Sequence, residues 1–404
     1  MIEDIIEYLY IILLIINCNT IYSTCISKDL HISEISIALM GVMCIIIFFN
    51  KKEKVKIKKS GVMLLTYYYI YIIIFIAFNK ILNIQNFISN YIAVLPLNLI
   101  IFSELNQKRK RKILSEFFNI VVIISIISLI LYTMGSTLNI IKPTNEITIS
   151  WGKARKINTY WWLQANIQKN GKIWRNTGFF AEAPMFSLIL IIALAIELFI
   201  LENREKSKEV ILIITTMTTF SATGLSLICL MYIIKIIVDN RKKSNSVIQI
   251  LKFIITPIII VMIVGIGIKV LSNKLGTASY IVRVDDFKAC YNVWRMYPIF
   301  GAGYGNVDKI IENMSSFRET EKGLSNSLGV SFAENGIYLN LIYLFAFFRT
   351  IKYGKKSKKI GIIIFAFIIM ILFVTTIFMF SHLFMILIAM GITNKREDLK
   401  EKKV

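Results

Sequence analysis

The chain alternates apolar blocks, such as Ile70–Ala77 and Ile362–Val374, with short clusters of Lys and Arg. A block of this kind must leave water, and a single segment that leaves water has to satisfy its own backbone, which a helix does. Of 404 residues 56% are hydrophobic and only 18% charged, against roughly 25% charged in soluble domains. A soluble globular protein is excluded.

Apolar windows bounded by charge predict spans near residues 5–24, 33–50, 61–78, 87–103, 115–134, 182–201, 209–221, 224–238, 250–271, 326–348, 360–375 and 378–393. The pairs meeting at Ser221–Gly224 and at Thr375–His382 are each too long for one helix and have bases at both outer ends, so each reads as a tight hairpin of two short helices. The expected fold class is all-α: a polytopic membrane helix bundle of about 12 spans under an ordered helical outer cap. The expected organisation is 1–134 N-terminal membrane helices, 135–181 outer loop, 182–271 central membrane helices, 272–325 large outer loop, and 326–404 C-terminal membrane helices with a basic tail.

A net charge of +22 in a soluble chain would point to nucleic acid. Here six clusters, Lys51–Lys59, Lys108–Lys112, Arg204–Lys208, Arg241–Lys243, Arg349–Lys359 and Lys395–Lys403, hold 28 of the 47 bases and fall on one side of the windows. The positive-inside rule places them, and both termini, in the cytoplasm. The expected partner is therefore the lipid bilayer and not nucleic acid. The first window lacks the basic start and cleavage site of a signal peptide and reads as a retained span. Five cysteines and two histidines fit no metal-ligand spacing, so no metal is expected.

All five tryptophans, Trp151, Trp161, Trp162, Trp174 and Trp294, lie in the two long segments left on the other side. Disordered loops are poor in aromatics, so these segments read as an ordered cap, with the tryptophans either an interfacial belt or sugar-stacking surfaces. Val284, Phe287, Tyr291 and Trp294 recur at helical spacing and predict an amphipathic helix that Pro298 ends. Asp285 and Asp286 read as its solvated face, and Cys290 as accessible from outside.

Three constellations can carry chemistry. Arg175-Asn-Thr-Gly-Phe-Phe-Ala-Glu182-Ala-Pro184 runs from the first outer segment into a span; Pro184 suits a first helical turn and Glu182 complements the helix dipole, which leaves Arg175 without a local role. Pro298-Ile-Phe-Gly301-Ala-Gly303-Tyr-Gly305 follows Arg283 and either cradles an anion on its backbone N–H groups or turns the chain. Ser325-Asn326 leads into a span in which Glu334 lies roughly 12 Å deep at 1.5 Å per residue. A carboxylate at that depth is a functional candidate, with pairing to Arg283 or Lys269 as its structural alternative.

In order and membrane side these motifs resemble the O-antigen ligase and Wzy-type polysaccharide polymerase superfamily of bacterial membranes. The residues that carry the resemblance are Arg175 with Gly178, Glu182 with Pro184, Ser221, Arg283, Pro298 with Gly301 and Gly303, Ser325 with Asn326, and Glu334 with Gly336, over about 175–345. Family ligases have a histidine at the motif where this chain has Ser325-Asn326, and no histidine occurs in 272–325; the departure favours a polymerase. The resemblance implies an inverting, metal-independent, cofactor-free glycosyltransferase in the cytoplasmic membrane. It would join undecaprenyl-pyrophosphate-linked repeat units at the outer face, for capsule, exopolysaccharide or O-antigen, with a chain-length regulator as a further partner. The alternatives are a ligase to another acceptor and a lipid-linked glycan flippase or transporter. It further implies Arg175, Arg283, Gly301 and Gly303 on the pyrophosphate, Glu182 or Glu334 as general base, and Trp162, Trp174, Trp294 and Asn326 on sugars. Arg318, outside every motif, is expected to be replaceable without effect.

Overall fold

In a computed structural model, residues 2–25, 31–49, 59–149, 155–240, 278–318 and 323–394 are described. Among the described residues the protein is mostly helical, at 72% helix. The helices are α1 (Ile2–Ile16), α2 (Ile21–Thr24), α3 (Ile32–Phe49), α4 (Lys59–Phe78), α5 (Ile84–Glu104), α6 (Gln107–Thr137), α7 (Ala183–Phe199), α8 (Lys206–Thr218), α9 (Ala222–Asn240), α10 (Ala278–Met296), α11 (Val307–Ile311), α12 (Ser327–Lys356), α13 (Ile360–Thr375) and α14 (His382–Ile392). Among the described residues, five helices are long and apolar enough to cross a membrane, in α4, α5, α6, α9 and α12, and shorter apolar helices lie in α3, α7, α13 and α14. The window 250–271 falls outside the described residues. Short turns join α8 to α9 and α13 to α14; α8 packs on α9, whereas α13 and α14 both pack on α12.

The all-helical cap is corrected. Residues 145–174 carry strands: β1 (Asn145–Ile149), β2 (Arg155–Tyr160) and β3 (Gln164–Ala165) form an antiparallel sheet in that order, and β4 (Lys169–Asn170) pairs with β5 (Ile173–Trp174). In the β1/β2 register Ile147 faces Ile157, both buried, while Glu146 and Lys156 pair at 2.9 Å on the exposed side. This is the period-two alternation of a sheet with one covered face. Gly171, at φ +63°, starts the two-residue turn between β4 and β5, where a side chain would be strained. The second outer segment does contain a helix, α10, ending at Met296 before Pro298, but its expected apolar stripe is largely exposed at Phe287 and Tyr291, and the opposite face through Asp286, Ala289, Cys290 and Val293 is the buried one.

The bundle is organised around α7. From Ala183 to Leu198 every side chain except Pro184 is buried, and α6, α8, α9 and α13 pack around it. A helix apolar on all sides belongs in the centre of a core. The start of α7 is held by the chain on either side of it: Ile21 N–H donates to Phe179 O and Ala181 N–H to Asn19 O, at 2.9 and 3.0 Å.

Helix α12 is broken. Gly336 has φ +63°, ψ −166°, so the ladder of i to i−4 bonds is interrupted deep in an apolar helix, where orphaned backbone groups are costly. The glycine loop repairs it: Ala302 and Gly303 donate to the carbonyls of Ala333 and Glu334 at 2.8 and 3.2 Å, and Ile337 and Tyr338 donate to those of Pro298 and Ile299, each at 2.9 Å. The backbones touch so closely that a Cβ on Gly301 would lie 2.2 Å from Glu334 O, and one on Gly336 2.3 Å from Ile299 O.

Candidate active site

Glu182 stands at the N-cap of α7 in extended conformation (φ −146°, ψ 146°), yet its carboxylate makes no capping hydrogen bond. Gln168, from the loop between β3 and β4, takes that role: its Oε1 accepts from Ala183 N–H at 3.0 Å. The Gln168 backbone carbonyl also accepts from Arg175 N–H at 2.9 Å. One residue thus fixes both the helix start and the arginine, and the Glu182 carboxylate, half-buried, is not used in capping the helix.

The Arg175 guanidinium donates through Nε to Thr219 O at 2.8 Å and through Nη2 to Phe220 O at 3.5 Å, both carbonyls in the turn between α8 and α9. Asn176 locks the same junction, donating from its backbone N–H to Thr218 O and from Nδ2 to Thr218 Oγ1. Arg283, on α10, donates through Nη1 to Thr375 O at 3.2 Å, at the end of α13. The two arginines therefore come from chain segments over a hundred residues apart, and each is aimed by a helix-terminal carbonyl.

Both guanidiniums lie within Coulombic range of Glu182, without a direct ion pair to it. Burial lowers the pKa of Arg175 below its ordinary value, opposed by Glu182 and reinforced by Arg283. Burial likewise lowers that of Arg283, opposed by Asp286 and Glu182. Arginine stays cationic through shifts of this kind. Two half-buried guanidiniums and one half-buried carboxylate at a helix N-terminus are groups with the charge to attract an anion and to take up a proton.

The structure does not bring Glu334 into this group. It is fully buried beside the break in α12, its Oε2 accepting from Gly305 N–H at 3.0 Å, and its Oε1 has no partner among the described residues. Pairing with Arg283 is not present, and Lys269 lies outside the described residues. Gly301 and Gly303 are corrected as anion ligands: the Gly301 N–H is spent on Tyr297 O and the Gly303 N–H on Glu334 O, so the loop turns the chain and splices the broken helix. Asn326 is corrected as a sugar contact. It is 1% exposed and its Oδ1 caps α12 by accepting from Gly329 N–H at 2.6 Å.

The tryptophans stand around the cap and not on the arginine pair. Trp162 is half-buried against the core, its carbonyl accepting from Tyr22 Oη at 2.8 Å. The Trp174 ring carries the Lys169 ammonium 4.2 Å from its centroid. Trp294 packs edge-on to Phe332 and donates Nε1 to Pro298 O at 3.2 Å. Trp161 is the most exposed of the described tryptophans; it and Trp162 both have positive φ, 45° and 63°, an unusual backbone for bulky residues. Trp151 lies outside the described residues.

Two further expectations fail for one reason. Asp285 and Asp286 are buried, and Arg318, 3% exposed, lies against them at 3.6 and 2.8 Å. Arg318 also donates to Val282 O and Gly323 O. The acids are the underside of α10, and Arg318 ties the rest of the cap to it. Cys290, on the same face, is buried as well. The sequence offered no signal for this pairing, or for Gln168, because the partners are joined only by the cap's tertiary fold. Compared with known proteins, the chain matches no protein family and no curated protein.

Proposed function

We propose that the chain is a glycosyltransferase of the polymerase type in the bacterial cytoplasmic membrane, joining undecaprenyl-pyrophosphate-linked repeat units at its outer face. The proposal includes twelve spans with both termini in the cytoplasm. The observation that carries the reading is the convergence of Arg175, Glu182 and Arg283 at the buried start of α7, each arginine already oriented by a carbonyl.

Outside the cell no nucleotide donor is at hand, so a sugar donor must bring its own leaving group, and a lipid pyrophosphate is one. In this scheme Arg175 and Arg283 hold the pyrophosphate. An acceptor hydroxyl gives its proton to the Glu182 carboxylate as its oxygen attacks the anomeric carbon of the donor sugar from the face opposite the leaving group. The bond from that carbon to the pyrophosphate oxygen breaks, its electron pair stays on the pyrophosphate, and configuration inverts. Negative charge grows where the guanidiniums sit, so their hydrogen bonds strengthen toward the transition state.

The test is chain extension of lipid-linked repeats in vesicles reconstituted with the purified chain, read as a ladder on gels. In cells, deletion should leave single lipid-linked repeats without long polymer; long polymer persisting on the lipid carrier would mean a ligase. One observation favours a second reading. A broken apolar helix with a buried, half-satisfied carboxylate, α12 with Glu334, is a feature of transporters; passage of lipid-linked glycan across the vesicle without extension would support transport instead.

A further inference from the structure

A cavity of about 430 Å³ lies between α6, α7, α9, α12, α13 and α14, running from the level of Leu328 and Phe373 to a mouth at the opposite end of the bundle from the arginine pair. It follows α12 from Leu328 to Tyr353, past the break at Gly336. Its walls are apolar for most of that length, with Leu344, Phe347, Ile369, Met370, Phe373 and Phe384 among them. The mouth is different. Lys110, Arg111, Lys235, Lys358 and Lys359 line it against two acids, Glu202 and Asp239.

The acids are already committed. Glu202 pairs with Arg111 at 2.5 Å and Asp239 with Lys235 at 3.5 Å, while Lys110 Nζ reaches Thr393 O at 3.3 Å. Lys358 and Lys359 have no ion-pair partner among the described residues, and they stand at the start of α13, whose first turn no side chain caps. A long apolar slot with an uncompensated positive mouth is complementary to a molecule with a negative head and a hydrocarbon tail.

We propose that this cavity binds an anionic membrane phospholipid, with its phosphate at Lys358 and Lys359 and an acyl chain between α12 and α13. A free phosphate would leave the apolar walls unfilled, and a zwitterionic lipid would bring a positive group to a positive mouth. A lipid-linked donor with its pyrophosphate at Arg283, which meets Thr375, would reach the slot from the other end and leave the basic mouth unpaired. The assignment follows the general preference of basic pockets between membrane helices for acidic headgroups, and it holds whatever reaction the other end performs.

The experiment is to purify the full chain in detergent, exchange it into equal amounts of phosphatidylglycerol and phosphatidylcholine, wash, and quantify the lipid retained. The native chain should retain phosphatidylglycerol preferentially. The double substitution Lys358→Ala with Lys359→Ala should lower that preference by roughly 10- to 30-fold, from two bases near a headgroup. Ile369→Trp, which fills the slot, should reduce retention of both lipids. If Ile369→Trp does not fold, the exposed-rim double variant decides alone. Equal retention of both lipids by the native chain, unchanged preference in the rim variant, or complete displacement by millimolar inorganic phosphate would each overturn the assignment.

Discussion

Arg318→Ala should be among the most damaging single changes in the cap. The guanidinium is 2% exposed, and the carboxylates it meets are 0% exposed for Asp286 and 7% for Asp285, so solvent does little to screen the pairs. Removing one partner of a buried ion pair costs about 3–5 kcal/mol, because the remaining charge stays desolvated. Here two carboxylates would remain, supported by Ser325 Oγ on Asp286 and by Ser315 on Asp285. A loss of about 3–5 kcal/mol is a large part of the 5–15 kcal/mol that holds a typical domain. The assay is reversible unfolding in mixed micelles, with protease cutting of 297–325 as a local readout. Lys288, exposed on the same helix, is the control, and its change to Ala should stay within about 0.5 kcal/mol. The double variant Arg318→Ala with Asp286→Ala should recover part of the loss, a coupling of at least about 1 kcal/mol for groups in contact. A cost below 1 kcal/mol for Arg318→Ala, or strict additivity in the double variant, would refute the buried-pair argument.

Arg175→Ala and Arg283→Ala should each lower chain extension by about 100- to 1000-fold with normal membrane insertion, as loss of a donor to a developing anion does elsewhere; Arg→Lys should restore only part, since a point charge lacks the planar fork. Gln168→Ala should cost about 1 kcal/mol of stability, the range for losing a helix cap, yet lower extension by roughly 10- to 100-fold because Glu182 and Arg175 lose their common anchor; equal, small effects on both readouts would remove Gln168 from the site. Gly336→Ala should fail to accumulate or unfold at much lower temperature, since a side chain there is strained at φ +63° and collides with Ile299 O; a variant of native stability would show that the helix break is not needed.

The helices were legible because apolar blocks cut by charge leave a chain few options in a bilayer. The strands were not, because β1 and β2 alternate over only five or six residues each inside a polar segment that lacks helical period and has no apolar run. Arg175, Glu182 and Arg283 stood out as charges near the starts of apolar helices, where an ordinary surface account was incomplete. Glu334 also stood out, correctly, as a deep carboxylate, but sequence depth says nothing about direction, and the break at Gly336 places it against the glycine loop. Asp285 and Asp286 were misread because amphipathic spacing identifies two faces of α10 without revealing which one Arg318 would cover.

Because α7 has neighbours on every side, its sequence is bound by packing and has little freedom to vary. Glu182 inherits its position from that confinement. The surroundings of the carboxylate come from elsewhere: from the β cap through Gln168, from the α8–α9 turn through Arg175, and from α10 through Arg283. Under the proposed reaction, chemistry and selectivity would then be assigned to separate parts of the chain, joined at a few hydrogen bonds. The cap could change to suit a different glycan while the helix beneath keeps Glu182 in the same place.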